Sequence, residues 1–165
     1  MAEAKKTNGK DGGKGGSEVP ARLYLIDGSG FIFRAFHSSP LDAFRRSDGI
    51  YTNAVNGYCS LLMKMIDRAR DDGAYDYMAV IFDASRKNFR NDIYPEYKAN
   101  RASMPEDLAA QIPHIHEVTR AMGWPIVMEP GIEADDVIGT LAQVALEQGF
   151  DEVIVSTGDK DMAQL

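Results

Sequence analysis

Apolar positions fall into two alternating rhythms along the chain. LYLID (23–27) is a short β-rich run that ends in an acid, and DGSG then reads as a turn leading into a helix-like stretch. Around residues 53–70, Val55, Tyr58, Cys59, Leu62, Met65 and Ile66 recur at helical spacing, which predicts a helix with one buried face, and Asp71-Asp72-Gly73 follows it. MAVIFDA (78–84) predicts a second strand ending in an acid, residues 106–122 one helix stopped by Gly123, and WPIVMEP a third short strand. Residues 134–148 predict a helix with Gly149 as its C-cap, and EVIVST (152–157) another strand. At MAQL (162–165), Met162 and Leu165 begin a further helical spacing. Strands alternating with helices imply an α/β fold with a mostly parallel central sheet covered by helices on both faces.

Residues 1–20 break the rhythm. They lack aromatics and are rich in Gly and Lys, so a disordered tail is expected there and the fold in residues 21–165. Lys14 in GGKGG has the wrong glycine spacing and no following Ser or Thr for a phosphate loop.

A length of 165 residues allows one domain or part of one. No apolar run approaches the ~20 residues of a membrane span, and no signal-peptide core precedes the fold, so the cytoplasm is the expected compartment and no membrane is expected. Cys59 is the only cysteine, which excludes an intrachain disulfide, and its apolar setting reads as a small hydrophobe. The net charge of −7 argues against broad electrostatic adhesion to nucleic acid. Any such contact must be local.

The acids are unevenly spread. Ligands of open α/β sheets bind beyond the carboxyl ends of strands, and there Asp27 closes the first strand, Asp83 the second, and Asp159 and Asp161 follow the last. Glu133, Asp135 and Asp136 stand where a loop enters a helix, a place where capping alone could explain them. Asp27 before Gly28 could likewise be a turn residue. Together, however, seven converging carboxylates repel, since a pair 4 Å apart costs about 4 kcal/mol even at an effective dielectric near 20. A positive partner is required. All-oxygen donors suit Mg²⁺ or Mn²⁺, and two such ions can activate water and stabilise the leaving oxygen of a phosphodiester. Zinc fits less well, because Cys59 is alone and His114-x-His116 lacks partners at metal spacing.

Between the acid groups, SRKNFRNDIYPEYKANR (85–101) carries Arg86, Lys87, Arg90, Lys98 and Arg101 against Asp92 and Glu96, a local charge of +3. Phe89, Tyr94 and Tyr97 interleave the cations, offering phosphate partners together with flat surfaces for unpaired bases. An exposed loop with anchoring aromatics is the plainer alternative.

From about Arg22 to Leu165 the chain resembles the 5′ nuclease domain of bacterial DNA polymerase I, a family related to flap endonucleases and phage 5′ nucleases. LYLIDGSGFIFRAFH, AVIFDA, FRNDIYPEYKANR, GIEADDVIGTLA and VSTGDKDMAQL carry the resemblance. It implies a PIN-like 5′ nuclease core that stops before the helix-hairpin-helix part and later metal-site acids. Asp27, Asp83, Glu133, Asp135, Asp136, Asp159 and Asp161 then fall on the family's metal-ligating acids. Arg34, Arg90, Lys98, Arg101 and Tyr97 match positions near the scissile phosphate or in the arch that single strands thread through.

The resulting expectation is a fragment of a Mg²⁺- or Mn²⁺-dependent, structure-specific 5′ nuclease, using two ions and acting on DNA with 5′ flaps, nicks or 5′ ends. Lys98, Arg90 and Arg34 carry the expected catalytic roles, Arg86, Lys87, Phe89, Tyr94, Tyr97 and Arg101 bind DNA, and a polymerase domain of the same parent chain is the expected partner. A non-catalytic flap-binding or single-strand-binding module with an incomplete metal site is the alternative. An Asp-nucleophile phosphatase would need a second acid where Ser29 stands, and a topoisomerase-primase-type site would have Glu in place of Asp27.

Overall fold

A computed structural model describes residues 21–71 and 77–164. The expected tail at 1–20, Asp72 and Gly73 after the 53–70 helix, and Leu165 lie outside the described residues. Four strands, β1 (Arg22–Asp27), β2 (Tyr77–Ile81), β3 (Ile126–Val127) and β4 (Glu152–Ser156), form one parallel sheet in the order β3-β2-β1-β4. Six helices accompany them among the described residues: α1 (Gly28–His37), α2 (Asn53–Asp71), α3 (Phe89–Ile93), α4 (Glu106–Ala109), α5 (Ile112–Ala121) and α6 (Ala134–Glu147).

Side chains alternate across a strand, so β1 serves two cores. Tyr24 and Ile26 join Phe31, Tyr58, Leu62, Ile66 and Ile115 under α1, α2 and α5. Leu25 points the other way, packing with Ile81, Ala134, Val137 and Ile138 under α6. The chain moves outward from β1 to β2 and β3, then crosses back to place β4 on the other side of β1. This reversal opens a crevice at the carboxyl end of β1, where Asp27 lies.

Four local expectations change. DGSG forms no separate turn, because α1 starts at Gly28 with Asp27 as its N-cap. Gly28 itself has no room for a side chain, since a Cβ would strike the buried ring of Phe82. The second strand ends at Ile81, leaving Asp83 two residues beyond it, although the Phe82 N–H still donates to the Val127 carbonyl at 3.0 Å. Residues 106–122 make two helices, α4 and α5, rather than one. Pro113 supplies no N–H and its ring crowds the preceding turn, so it is accommodated in the first turn of α5 and not mid-helix. The chain's last described element, Lys160–Gln164, is a 3₁₀ turn. Gly149 follows α6 at φ +93, the left-handed conformation expected of a glycine that stops a helix.

Candidate functional site

The β1–α1 junction builds the centre of the site. Asp27 is 6% exposed, and its Oδ1 accepts the Gly30 N–H at 2.9 Å while its Oδ2 accepts the Thr157 hydroxyl at 2.9 Å. Asp83, past the end of β2, is held separately. Its N–H donates to Ser29 Oγ at 2.8 Å, and its Oδ1 accepts the Ala134 N–H at 2.8 Å, so it satisfies the first turn of α6 from another element. Glu133 occupies the N-cap position of α6 but makes no side-chain cap bond. Simple self-capping therefore does not account for it.

Asp135 joins the same group from the first turn of α6. Burial raises its pKa, and the charges of Asp27, Asp159 and Asp83 raise it further. Carboxylates from β1, the loop after β2 and the loop after β4 thus all act on Asp135 of α6. Asp159 Oδ1 accepts the Asp161 N–H at 2.9 Å, and Asp161 lines the same cleft.

Glu133 and Asp136 are neutralised within the chain. Glu133 Oε1 accepts from Lys98 Nζ at 2.6 Å and Asn88 Nδ2 at 2.7 Å, and its Oε2 accepts from Tyr97 Oη at 3.2 Å and Arg90 Nη1 at 3.4 Å. Asp136 receives both Arg90 terminal nitrogens, at 2.6 and 2.7 Å. That fork holds the Arg90 pKa well above its ordinary value and the Asp136 pKa below its own. Part of the positive charge that seven acids demand is therefore supplied by Arg90 and Lys98. Among the described residues, no three His, Cys, Asp or Glu side chains close into a group able to hold a metal. The remaining acids form an open, all-oxygen field whose hard donors fit a hard divalent cation.

The pH consequence of the fork has a definite sign. A depressed carboxylate pKa stabilises the fold fully above the ordinary value of 3.8, and this contribution disappears as pH falls through the lower folded value. Melting curves of the chain and Asp136→Asn between neutral and strongly acid pH test it. A gap of about 1 kcal/mol is expected near neutrality for so solvent-accessible a pair, closing in acid. A gap independent of pH would contradict it.

All these acids except Asp136 border one open cleft of about 1700 Å³. Arg34 reaches the cleft from α1, and Arg86, Lys87, Arg90, Tyr97, Lys98 and Arg101 border it from the basic segment. Arg86 Nη2 donates to the Arg101 carbonyl at 3.0 Å, bracing the segment's two ends. The aromatics divide. Arg90 lies 4.7 Å from the Phe89 ring centroid and 5.8 Å from that of Tyr97, while Lys98 Nζ lies 5.0 Å from Tyr97, so these two rings carry cations. Phe89 and Lys87 also border a separate recess of about 600 Å³. Tyr94 borders neither the cleft nor that recess, and its hydroxyl donates to Glu96 at 2.9 Å.

Sequence reasoning passed over Asn88 and Phe33 at the site. Asn88 is buried, caps α3 and holds Glu133, and only the Asn88-x-x-Asn91 capping box signals it. Phe33 is 45% exposed beside Arg34 in the cleft. The His116 ring stands 4.5 Å from Phe82, and burial lowers its pKa. His114 instead contacts Arg46 and Glu117. Cys59 is half-buried, which raises its thiol pKa.

A parallel sheet with a topological reversal at β1, and acids gathered beyond its carboxyl ends, defines an α/β protein whose cleft sets carboxylates against a basic segment. Residues 22–165 match the family described as "5'-3' exonuclease, N-terminal resolvase-like domain", and the chain belongs to that family. It is 49% identical over 146 residues to DNA polymerase I of Rhizobium leguminosarum, covering 87% of this chain and 14% of that protein. Against DNA polymerase I of Pseudomonas aeruginosa it is 45% identical over 145 residues, 88% of this chain and 15% of the relative. The chain thus spans about a seventh of such relatives. Its fold resembles a crystal structure of the bacteriophage T5 flap endonuclease in a pseudo-enzyme-product complex with DNA and metal ions, with a TM-score of 0.60 at 23% identity, covering 87% of this chain and 51% of that one. No helix among the described residues is long and apolar enough to cross a membrane.

Proposed function

We propose that residues 21–165 are the first part of a 5′ nuclease catalytic domain that hydrolyses DNA phosphodiesters at 5′ flaps, nicks or 5′ ends in the bacterial cytoplasm, within a longer chain carrying a polymerase domain. The observation that carries this reading is the convergence of Asp27, Asp83 and Asp159 on Asp135, whose pKa their charges raise beyond the effect of burial, in a cleft that Lys98 and Arg34 also border. Two Mg²⁺ or Mn²⁺ ions bound there would supply an activated water and charge for the leaving oxygen, giving a 5′-phosphate and a 3′-hydroxyl. Asp27, Asp83, Asp135, Asp159 and Asp161 would hold them, with Glu133 joining once Lys98 transfers to substrate phosphate. Arg34, Arg86, Lys87 and Arg101 would align the backbone, and Lys98 and Arg90 would meet charge that grows in the transition state. Phe89, Tyr94 and Tyr97 belong to the proposed DNA-binding segment, Tyr97 through the cations that its ring and hydroxyl help to hold.

The four donors on Glu133 favour a second reading, a flap-binding or single-strand-binding module whose acid site does not charge with metal. Thermal unfolding during a Mn²⁺ titration separates the two. At about 100 times the dissociation constant, binding to the folded state contributes roughly 2.7 kcal/mol, a rise of roughly 5–10 °C for a domain of this size. Asp135→Asn should raise the metal-free melting temperature by removing a crowded charge and should blunt the Mn²⁺ response. An unshifted transition at millimolar Mn²⁺ would remove the metal-dependent reading and leave the binding module.

A further inference from the structure

Asp27 and Asp159 are far apart in sequence, and one hydroxyl joins them. Thr157 directly follows β4. Its Oγ1 donates to Asp27 Oδ2 at 2.9 Å and accepts the Asp159 N–H at 3.0 Å. The first bond uses the hydroxyl's only proton and the second a lone pair, so rotation of the side chain would break both. Asp27 Oδ1 is fixed in turn by the Gly30 N–H at 2.9 Å. Each oxygen of this buried carboxylate therefore has one protein donor and retains acceptor capacity. On the other side, Asp159 Oδ1 accepts the Asp161 N–H, extending the same connection to a third acid.

The contrast with Arg90 gives this link its meaning. Arg90 also bridges two acidic residues, Glu133 and Asp136, but it brings a positive charge and cancels much of theirs. Thr157 joins the Asp27 carboxylate to the Asp159 backbone and brings no charge of its own. A cation site needs such a neutral tie, because a cationic bridge would compete with the metal. Asp83 has its own supports, Ser29 and Ala134, and does not share this one.

We propose that Thr157 is a positioning residue whose hydroxyl sets the spacing of Asp27 and Asp159 and so sets the affinity of the cleft for a divalent cation. The proposal rests on the cation-binding part of the function above. Residues that orient metal ligands from behind commonly change metal affinity by about 10–100-fold when removed.

Thr157→Val keeps the side chain's shape but leaves Asp27 Oδ2 without its donor and the Asp159 N–H without its acceptor. Free Mn²⁺, followed by electron paramagnetic resonance during titration of the 165-residue chain, reports binding without requiring cleavage. The expected result is a loss of Mn²⁺ affinity of about 10–100-fold in Thr157→Val, with Thr157→Ser within about twofold of the unaltered chain. Melting in EDTA runs alongside, because a purely structural role would lower the metal-free transition without changing the Mn²⁺ affinity of the folded protein. Equal affinity in the unaltered chain and Thr157→Val overturns the Thr157 role while leaving the cation site standing. No Mn²⁺ uptake by the unaltered chain overturns the cation site and the Thr157 role together. If Thr157→Val does not fold, Thr157→Ser decides the question: it retains the hydroxyl, so weakened binding overturns the proposal and retained binding supports it.

Discussion

Under the proposed function, replacing Lys98 by alanine in the longer parent protein is expected to lower single-turnover cleavage of a 5′-flap substrate by about 10²–10³ while changing flap affinity far less. Burial pulls the Lys98 pKa down, but its hydrogen bonds with Glu133 and Tyr97, together with the Glu133 charge, more than offset this and the net shift is upward. The side chain is thus an ammonium at neutral pH. Its Nζ lies 2.6 Å from Glu133 Oε1, on a backbone with φ +55, a conformation that residues other than glycine rarely adopt. An ammonium already satisfied by a carboxylate gains little by exchanging it for a ground-state phosphate. It gains more when the phosphoryl oxygens take on charge in the transition state, which places its loss in the rate and not in binding. A lysine used only to hold phosphate would weaken binding and reduce the salt slope by about one unit. Quench-flow cleavage under saturating enzyme, with fluorescence anisotropy for affinity, distinguishes these outcomes. Cleavage at the parental rate would end the catalytic assignment.

Strand ends and their acids were legible because a buried parallel strand leaves an uninterrupted apolar run, and LYLID and MAVIFDA are such runs. Their boundaries were less so. Phe82 continues the apolar run of β2 past the end of the strand, because its ring fills the space beneath Gly28. The acids of the cleft could be identified from their positions, but not how their charges are balanced. Reading seven carboxylates as one converging group treats them as equivalent. Side-chain geometry divides them, with Asp136 held by the Arg90 fork and Glu133 by four donors, while Asp135 remains under the charges of Asp27, Asp159 and Asp83. The aromatics of the basic segment were similarly ambiguous, since a ring that stacks on a base and one that supports a guanidinium have the same sequence spacing. Thr157 escaped notice because a hydroxyl between a strand and a turn is common, and its significance comes from Asp27 on the neighbouring strand.

The break between α4 and α5 leads to the largest stability effect. Gln111 is fully buried, and its Oε1 accepts the N–H groups of Ala54 at 2.8 Å and Val55 at 3.3 Å in the first turn of α2. Its Nε2 donates to Asn53 Oδ1 at 3.0 Å and the Asp107 carbonyl at 2.9 Å, while Asn53 Nδ2 donates to the Phe36 carbonyl at 2.9 Å. Gln111 thus caps α2 from a distant segment and, through Asn53, ties α4 to the end of α1. A continuous helix over 106–122 would place the residues on either side of Gln111 differently, so the interruption also serves this cap. Gln111→Ala leaves two N–H donors and two acceptors without partners, together with a void. Unsatisfied buried groups cost about 1–3 kcal/mol each, and partial relaxation brings the expected total to roughly 3–5 kcal/mol. That is a large share of the 5–15 kcal/mol typical of a whole domain. The expected fall in melting temperature is roughly 10 °C or more. Gln111→Glu should be at least as severe, because a carboxylate oxygen would replace Nε2 opposite Asn53 Oδ1 and the Asp107 carbonyl. Glu117→Ala, at a side chain that is 74% exposed, supplies the reference and should lie within about 0.5 kcal/mol of the parent. Urea unfolding of the three variants in EDTA measures these differences without metal linkage. A Gln111→Ala loss below about 1 kcal/mol would mean that the first turn of α2 finds other partners and that the cap does not determine the helix break.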